Sequence, residues 1–280
     1  MSILGDFKGV IDLLLRGWSW RQERRDPVRG QAERLISAFE AHGIARQQIV
    51  RLLPPRLVAP PVSFSSPDQL KTEITPTLLT WASDYLALNR GWLDGVDRQP
   101  HGVVRGYKDL RVYIEWFQSR AKESPSSGRW LFVLKSDARA LRPEASGPLC
   151  LLLTEYFDEL DGNEISRHWL LSESWNLEHP PCVQNMMAVV ALARSFGIPV
   201  IGRAAPSRLL ERLEAGTMFA PQVLKHGGGR WYPEDLLDTV LGTNGSWLMP
   251  MRQAVRVELE AYGIEMETRS RSMSQEEGRA

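Results

Sequence analysis

Two residues with reactive side chains, His179 and Cys182, lie three positions apart at the start of a predicted helix. Apolar residues recur at helical spacing over 182–196, so the helix places Cys182 in its first turn. A helix N-terminus stabilises a thiolate, and a neighbouring imidazole could accept the thiol proton. The pair also offers two ligands to a metal, although a zinc site needs more. A buried structural cysteine fits the same pattern and is the preferred interpretation.

Two further motifs have the composition of catalytic sites. Glu155, Asp158, Glu159 and Asp161 cluster at the end of a predicted hairpin, where carboxylates could bind a cation or move protons, or simply keep the loop hydrated. The His-Gly-Gly-Gly segment at 226–229 resembles an esterase oxyanion loop, but the serine motif that such a loop serves is missing. Nucleotide-binding glycine motifs are missing as well. The sequence therefore predicts no enzyme activity, no cofactor and no metal site.

Three of the ten tryptophans, Trp175, Trp231 and Trp247, fall in predicted loops. Aromatic side chains in loops commonly anchor a ligand or a protein partner. These three are therefore the predicted ligand or partner contacts. The other seven lie in or beside predicted helices and strands and are expected in the core.

Aliphatic and aromatic runs predict strands in the second half of the chain, and helical spacing predicts the helices between them. The predicted strands are 129–135, 148–157, 164–173 and 198–201, and the predicted helices are 182–196, 206–214 and 249–262. Asp161-Gly162-Asn163 is a strong hairpin signal between two of the strands. The pattern predicts a small, mostly antiparallel sheet with flanking helices.

The first half of the chain reads as helical. An amphipathic helix is predicted over 2–18, and its apolar stripe could pack on the chain's own core or pair with a second copy as a homodimer. Two short helices are predicted over 30–53, and further helices begin at Thr75 and over 107–122. Pro54, Pro55, Pro60 and Pro61 exclude a regular helix over 54–61.

Residues 31–95 resemble the Cro/CI-like helix-turn-helix family. Gln31–Gly43 is similar to the first helix of that family, Ala45–Leu53 to its second, and Thr75–Leu86 to a later one. The segment that follows, Ala-Leu-Asn-Arg-Gly-Trp-Leu-Asp-Gly at 87–95, is similar to the family's ending. The resemblance implies a helix-turn-helix core and contact with DNA.

The resemblance is interrupted where the family places its recognition helix in the major groove, because the prolines of 54–61 occupy that position. Side chains suited to phosphates and bases remain nearby, and they are the predicted DNA contacts: Arg46, Gln47, Gln48, Arg51 and Arg56. An ordinary solvated helix face fits the same residues. The interruption leaves open that DNA reading has been lost.

Charge is distributed unevenly although the formal net charge is zero. Residues 1–60 contain ten Lys or Arg against six Asp or Glu, whereas residues 144–178 contain eight acidic residues and one basic residue, Arg167. The two cysteines are too few for a disulfide framework, and apolar runs are shorter than the ~20 residues of a membrane span. A cytoplasmic protein with no membrane contact is expected.

The predicted fold class is α+β, with a helical region over 1–125, an α+β region over 126–266 and a disordered tail over 267–280. The predicted function is a DNA-associated regulator whose second region senses a ligand or mediates assembly. One alternative is a protein–protein interaction component that no longer reads DNA. Another is an enzyme that uses Cys182 with His179, or the acidic hairpin end.

Overall fold

The structure, a computed structural model, describes residues 26–124, 128–238 and 246–266. The chain divides into two compact units between Pro100 and His101. The predicted helix over 2–18, with its proposed homodimer contact, and the predicted disordered tail lie outside the described residues. Residues 125–127, at the predicted boundary between the two regions, lie outside the described residues as well.

The first unit is built from helices joined by short turns. They are α1 (Pro27–Ala41), α2 (Arg46–Leu52), α3 (Pro67–Leu70), α4 (Pro76–Leu86) and α5 (Arg90–Leu93), with a 3₁₀ helix at Pro61–Ser65. Asp26 caps α1 by accepting a hydrogen bond from the Arg29 amide, and Thr75 caps α4 in the same way from the Leu78 amide. Each helix has a proline in its first turn, where the fixed φ of proline matches the helical backbone.

Aromatic stacking joins α1 to α4. Phe39 is fully buried, and its ring centroid lies 5.7 Å from that of Trp81, which in turn lies 5.2 Å from Tyr85. Offset aromatic pairs of this kind add to the free energy of burying their apolar surface. The buried residues of α1 and α4 recur at helical spacing and form the core of the described part of this unit: Ala32, Leu35, Ile36 and Phe39, with Leu78, Leu79, Ala82 and Leu86.

Residues 54–60 contain no helix, as the prolines predict. The chain then forms the 3₁₀ helix, where Ser63 and Phe64 are buried, and the four-residue helix α3, where Leu70 is buried. Four residues make about one turn, which is too short to lie along a major groove. Within residues 53–75 the structure offers no helix of the length that a recognition helix requires.

The second unit is built around a mixed six-stranded sheet in the order β1-β4-β3-β2-β5-β6. Its strands are β1 (Gly102–Val103), β2 (Gly128–Lys135), β3 (Cys150–Leu160), β4 (Asn163–Leu170), β5 (Val200–Ala204) and β6 (Arg230–Trp231). Pairing is antiparallel in β2–β3, β3–β4 and β5–β6, and parallel in β1–β4 and β2–β5. The predicted α+β fold and mostly antiparallel sheet are confirmed.

Helices cover both faces of this sheet. They are α6 (Leu110–Glu123), α7 (Pro180–Ser195), α8 (Ser207–Glu214), α9 (Ala220–Lys225) and α10 (Met249–Glu260), with 3₁₀ helices at Pro233–Leu236 and Ser246–Leu248. Successive strand residues point to opposite faces, so Leu151 and Leu153 join the larger core, which contains α6, α7 and α10. Cys150 and Leu152 join the smaller core with α8 and α9. Burial on both faces explains why the first four residues of β3, 150–153, are apolar without alternation.

Helix α6 belongs to the second unit, which corrects the predicted boundary near residue 125. Its stripe of Leu110, Tyr113, Ile114 and Phe117 is buried in the larger core of the sheet. The Tyr113 hydroxyl also donates to the Leu171 carbonyl at 2.7 Å. The predicted boundary near residue 125 therefore falls inside the second unit, between α6 and β2.

None of the helices within 26–124, 128–238 and 246–266 has the length and apolar character that crossing a membrane requires.

Candidate functional site

A cavity of about 500 Å³ opens in the second unit beyond the ends of β1 and β4. These two strands are parallel neighbours, so the chain leaves both of them at the same edge of the sheet. In open sheets, ligands bind in crevices at the carboxyl ends of such strands. The lining residues come from the segment after β1, the segment after β4, and the starts of α6 and α7: Val104, Arg105, Gly106, Tyr107, Tyr113, Leu171, Glu173, Ser174, Trp175, Asn176, His179 and Cys182.

Gly106 is required for the floor of this cavity to form. A Cβ atom at this position would lie 2.5 Å from the ring of Tyr113, so a side chain there would displace the aromatic ring or the loop. The Tyr113 hydroxyl is anchored on Leu171, and burial raises the pKa of this phenol well above its usual value. Tyr113 therefore serves as a neutral, fixed wall.

Tyr107 and Trp175 form a second aromatic wall. Their ring centroids lie 5.8 Å apart, and Trp175 is almost fully buried whereas Tyr107 is 39% exposed. The Tyr107 hydroxyl lies 2.9 Å from Nε2 of His179, which is exposed at the cavity edge. The hydroxyl and the imidazole are therefore close enough to exchange a proton.

Cys182 lines the same cavity from the first turn of α7. Its side chain is 5% exposed and its thiol is free. Partial burial raises the pKa of Tyr107, and the adjacent Cys182 raises it further through charge and a hydrogen bond. The structure thus brings Cys182 and His179 together around a third residue, Tyr107, that the sequence pattern did not indicate.

An ion pair lies at the mouth of the cavity. Arg105 donates to both carboxylate oxygens of Glu173, with Nε–Oε2 and Nη2–Oε1 distances of 2.9 and 3.2 Å. Both side chains are more than half exposed. Water screens such a pair strongly, so the pair contributes little to stability. It places one positive and one negative group at the entrance of the cavity.

Two residues beside the cavity adopt the left-handed backbone conformation without being glycine. Lys108 has φ 61° and Ser174 has φ 54°. The Lys108 amide donates to Asn185 of α7 at 2.9 Å, which holds the loop after Tyr107 against that helix. Residues other than glycine adopt this backbone conformation at a cost in free energy, and such strained residues are common at functional sites. Ala87 at the end of α4 and Asp161 in the β3–β4 turn share this conformation, so it accompanies the cavity but does not by itself mark a site.

The three loop tryptophans do not converge on one site. Trp175 lines the cavity, but Trp231 lies in β6, is 4% exposed and donates its indole N–H to the Val133 carbonyl at 3.2 Å. Trp247 is half-buried against the larger core. Trp231 is therefore a core residue and not an exposed anchor, and only Trp175 remains placed to touch a ligand in the cavity.

The predicted DNA-contacting residues have varied surroundings. Arg46 pairs with Glu40 at 2.7 Å and donates to the Ser65 carbonyl, and Gln48 accepts from the Ala45 amide to close the start of α2. Side chains of Gln47, Arg51 and Arg56 are exposed. Arg46 thus links α2 to α1 and to the 3₁₀ helix, and Gln48 stabilises the start of its own helix. The role of the five in DNA contact stays a prediction.

Ion pairs account for several cations of the first unit. Residues 26–100 contain eight Lys or Arg and eight Asp or Glu, which gives no net charge. The pairs join Arg29 to Glu33 and Asp68, Lys71 to Asp26 and Asp68, and Arg90 to Asp94. Residues 1–25 hold half of the positive balance of residues 1–60, and the five acids against three Lys or Arg in 61–100 offset the other half.

The remaining sequence motifs have structural surroundings. Glu155 is fully buried between Arg129 and Arg167 and does not belong with the solvated acids of the hairpin end. Backbone hydrogen bonds at 2.7 and 2.8 Å join Gly228 and Gly229 to Ala204, so the glycine segment continues the edge of the sheet into β6. Among the described residues, no group of three or more His, Cys, Asp or Glu side chains is arranged to hold a metal ion.

Comparisons with known proteins found no counterpart: no protein-family model, no curated protein and no solved structure matches this chain.

Proposed function

We propose that this protein is a regulatory protein whose second unit binds a small organic molecule in the cavity beyond β1 and β4. The observation that carries the proposal is the cavity itself. Its volume of about 500 Å³ falls within the range of small-molecule sites. Aromatic walls from Tyr107, Tyr113 and Trp175 would bury a flat apolar body, while Arg105 and Asn176 offer polar contacts.

The experiment is a titration of the full chain with 8-anilinonaphthalene-1-sulfonate, an aromatic anion whose fluorescence rises in apolar sites. We expect saturable binding at one site. Asn176→Trp would fill the cavity and weaken binding at least tenfold, about 1.4 kcal/mol. Glu178→Trp, an exposed position outside the lining, is the matched control and should bind as the natural chain does. Binding that is equal in both variants would place the probe elsewhere and contradict the proposal.

For the first unit we propose a role in contacting another macromolecule, which the helix-turn-helix resemblance also suggests. Two observations, one of helix length and one of net charge, favour a protein partner over DNA. Residues 53–75 hold no helix long enough to enter a groove. Residues 1–100 contain thirteen Lys or Arg against eleven Asp or Glu, so the net charge that could attract phosphates is only +2. This is the second of the functions that the sequence left open.

Fluorescence anisotropy with a mixed-sequence DNA duplex separates the two partners. A DNA-binding protein should bind at low salt and lose affinity steeply as salt increases, since each phosphate contact releases a counterion. We expect no such binding. If salt-dependent binding is found and is lost in the Arg46→Ala, Arg51→Ala double variant, but not in Arg98→Ala, the DNA-associated function regains its support and the protein-partner proposal is wrong.

A further inference from the structure

The two cysteines of the second unit face opposite sides of the sheet. Cys150 is fully buried in the smaller core, where its Sγ lies 3.4 Å from Oε1 of Glu214. Burial, with the nearby carboxyl, holds the pKa of the Cys150 thiol well above its usual value. Cys182 instead lies in the wall of the cavity. The chain therefore contains an internal reference thiol of low reactivity for any chemistry at Cys182.

The surroundings of Cys182 suit a nucleophile. It lies in the first turn of the sixteen-residue helix α7, whose N-terminal end favours negative charge. The Tyr107 hydroxyl adjoins the thiol and lies 2.9 Å from the imidazole of His179. His179 is exposed, so it can exchange a proton with solvent. Thiol, hydroxyl and imidazole thus form a continuous path for one proton.

We propose that Cys182 bonds covalently to a conjugated carbonyl compound bound in the cavity, so that the molecule sensed by this protein is a soft electrophile. This inference rests on the proposed function, because it names the class of ligand for the same cavity.

The reaction is a conjugate addition. Sγ of Cys182 forms a bond to the β carbon of the compound, and the carbon–carbon π bond breaks to give an enolate. The thiol proton passes to His179, directly or through the Tyr107 hydroxyl, and returns to the α carbon. All atoms of thiol and ligand remain in the adduct, and no oxidant or reductant is consumed.

The residues that line the cavity favour a conjugated carbonyl compound over a small oxidant as the molecule that reacts with Cys182. Trp175 and Tyr113 provide flat apolar surfaces that match a planar conjugated system. Arg105 at the mouth and Asn176 in the wall can donate hydrogen bonds to a carbonyl oxygen, which would also stabilise the enolate. A small inorganic oxidant would use neither surface.

The test treats the full chain with 4-phenyl-3-buten-2-one, a flat unsaturated ketone, and follows adduct formation by intact mass spectrometry with peptide mapping. We expect one adduct, on Cys182, with a rate that saturates with ketone concentration. The rate should exceed that of free cysteine at least tenfold. Cys182→Ser should form no adduct, whereas Cys150→Ser should react as the natural chain does. The saturated analogue, 4-phenyl-2-butanone, should compete with the reaction and form no adduct.

His179→Gln and Tyr107→Phe test the proton path. We expect each variant to react at least tenfold more slowly while still binding the saturated ketone. The pH at which the rate reaches half of its maximum should rise in His179→Gln, an effect that loss of packing alone would not produce. The other titratable or charged groups of the cavity are Arg105, Lys108, Tyr113 and Glu173. Glu115→Gln, which removes an exposed carboxylate of α6 outside the lining, is the control and should leave that pH unchanged.

The outcomes distinguish the inference from the function on which it rests. Binding of the saturated ketone, with a Cys182 rate no higher than that of free cysteine, would overturn the inference and leave the binding cavity standing. Modification of Cys150 as fast as Cys182 would overturn it as well. If neither ketone binds and the anilinonaphthalene probe does not bind either, both the inference and the proposed function are wrong.

Discussion

The two units of this chain differ in whether they bury charged side chains. Among the described residues of the first unit, every Asp, Glu, Lys and Arg side chain keeps contact with solvent, and the buried polar residues are His42, Ser63 and Ser83. Among the described residues of the second unit, four charged residues are buried: Lys135, Glu155, Asp238 and Arg252. Buried charges require protein partners in place of water. The second unit is therefore where the fold buries charged groups, and it is also where the cavity lies.

The sharpest test of this difference is to remove a buried charge from the second unit. Glu155 accepts from Nε of Arg129 at 2.9 Å, and Arg167 lies 3.6 Å from its other oxygen. Glu155→Ala would leave the largely buried guanidinium of Arg129 without its carboxylate, and we expect the free energy of unfolding to fall by about 3–5 kcal/mol. Urea denaturation followed by hydrogen exchange of peptides from 101–266 measures the loss. Glu159→Ala, exposed on the same strand, should change it by less than about 0.5 kcal/mol.

A buried histidine makes the first unit sensitive to acid. His42 donates from Nδ1 to the Ala38 carbonyl at 2.7 Å, and burial lowers its pKa to about 4. Below pH 6.5 the unfolded chain binds a proton that the folded unit excludes. The free energy of unfolding should therefore fall by about 3 kcal/mol between pH 6.5 and 4. Hydrogen exchange of peptides from 26–100 should show this slope in the natural chain and in exposed His226→Gln, and a smaller slope in His42→Gln.

The second unit should respond to acid in the opposite direction through Glu214. Burial raises the pKa of this carboxyl to about 7, while the Cys150 thiol lowers it and Glu211 raises it. Between pH 4.5 and 7 the folded unit keeps a proton that the unfolded chain has lost, so the contribution of Glu214 to stability decreases as pH rises. We expect a change of about 2 kcal/mol, since partial exposure of the carboxyl reduces the effect.

Hydrogen exchange of peptides from 207–225 measures this second slope. Glu214→Gln should flatten it, whereas the exposed Glu260→Gln should not. If Glu214→Gln left the slope unchanged, the contrast between the two units would have to rest on other groups.

The smallest expected effect concerns a cap in the first unit. The Thr75 hydroxyl oxygen accepts a hydrogen bond from the Leu78 amide at 3.1 Å, and Thr75→Ala should cost about 1 kcal/mol in the free energy of unfolding. Thr77→Ala, an exposed position in the same helix, is the matched control and should be neutral or slightly stabilising. Equal losses in the two variants would show that the capping bond contributes nothing measurable.

Local patterns in the sequence were sufficient to find most of the helices and strands. The β3–β4 hairpin was predicted from Asp161 and Gly162, and both residues adopt the positive φ that such a turn requires. The prolines of 54–61 likewise excluded a helix where none is found. These features depend on a few neighbouring residues, so the sequence carries them directly.

Features that depend on distant residues could not be predicted in this way. Helix α6 was placed in the wrong unit because its stripe shows that one face is buried but not which core receives it. Trp231 was placed in a loop because β6 is only two residues long, too short for a periodic signal. Glu155 was grouped with solvated acids, since its two arginine partners lie on both sides of it in the sheet.

The candidate site combines both kinds of information. From the sequence alone, His179 and Cys182 were identified as a pair at a helix start, because their spacing is local. Tyr107 lies 72 residues before His179, and only the parallel pairing of β1 with β4 brings its loop to that helix. The sequence by itself therefore determined which groups could react and where the helices begin. The tertiary structure decided that one thiol faces a cavity and the other a closed core, since burial is a property of the assembled sheet and helices and not of any single segment.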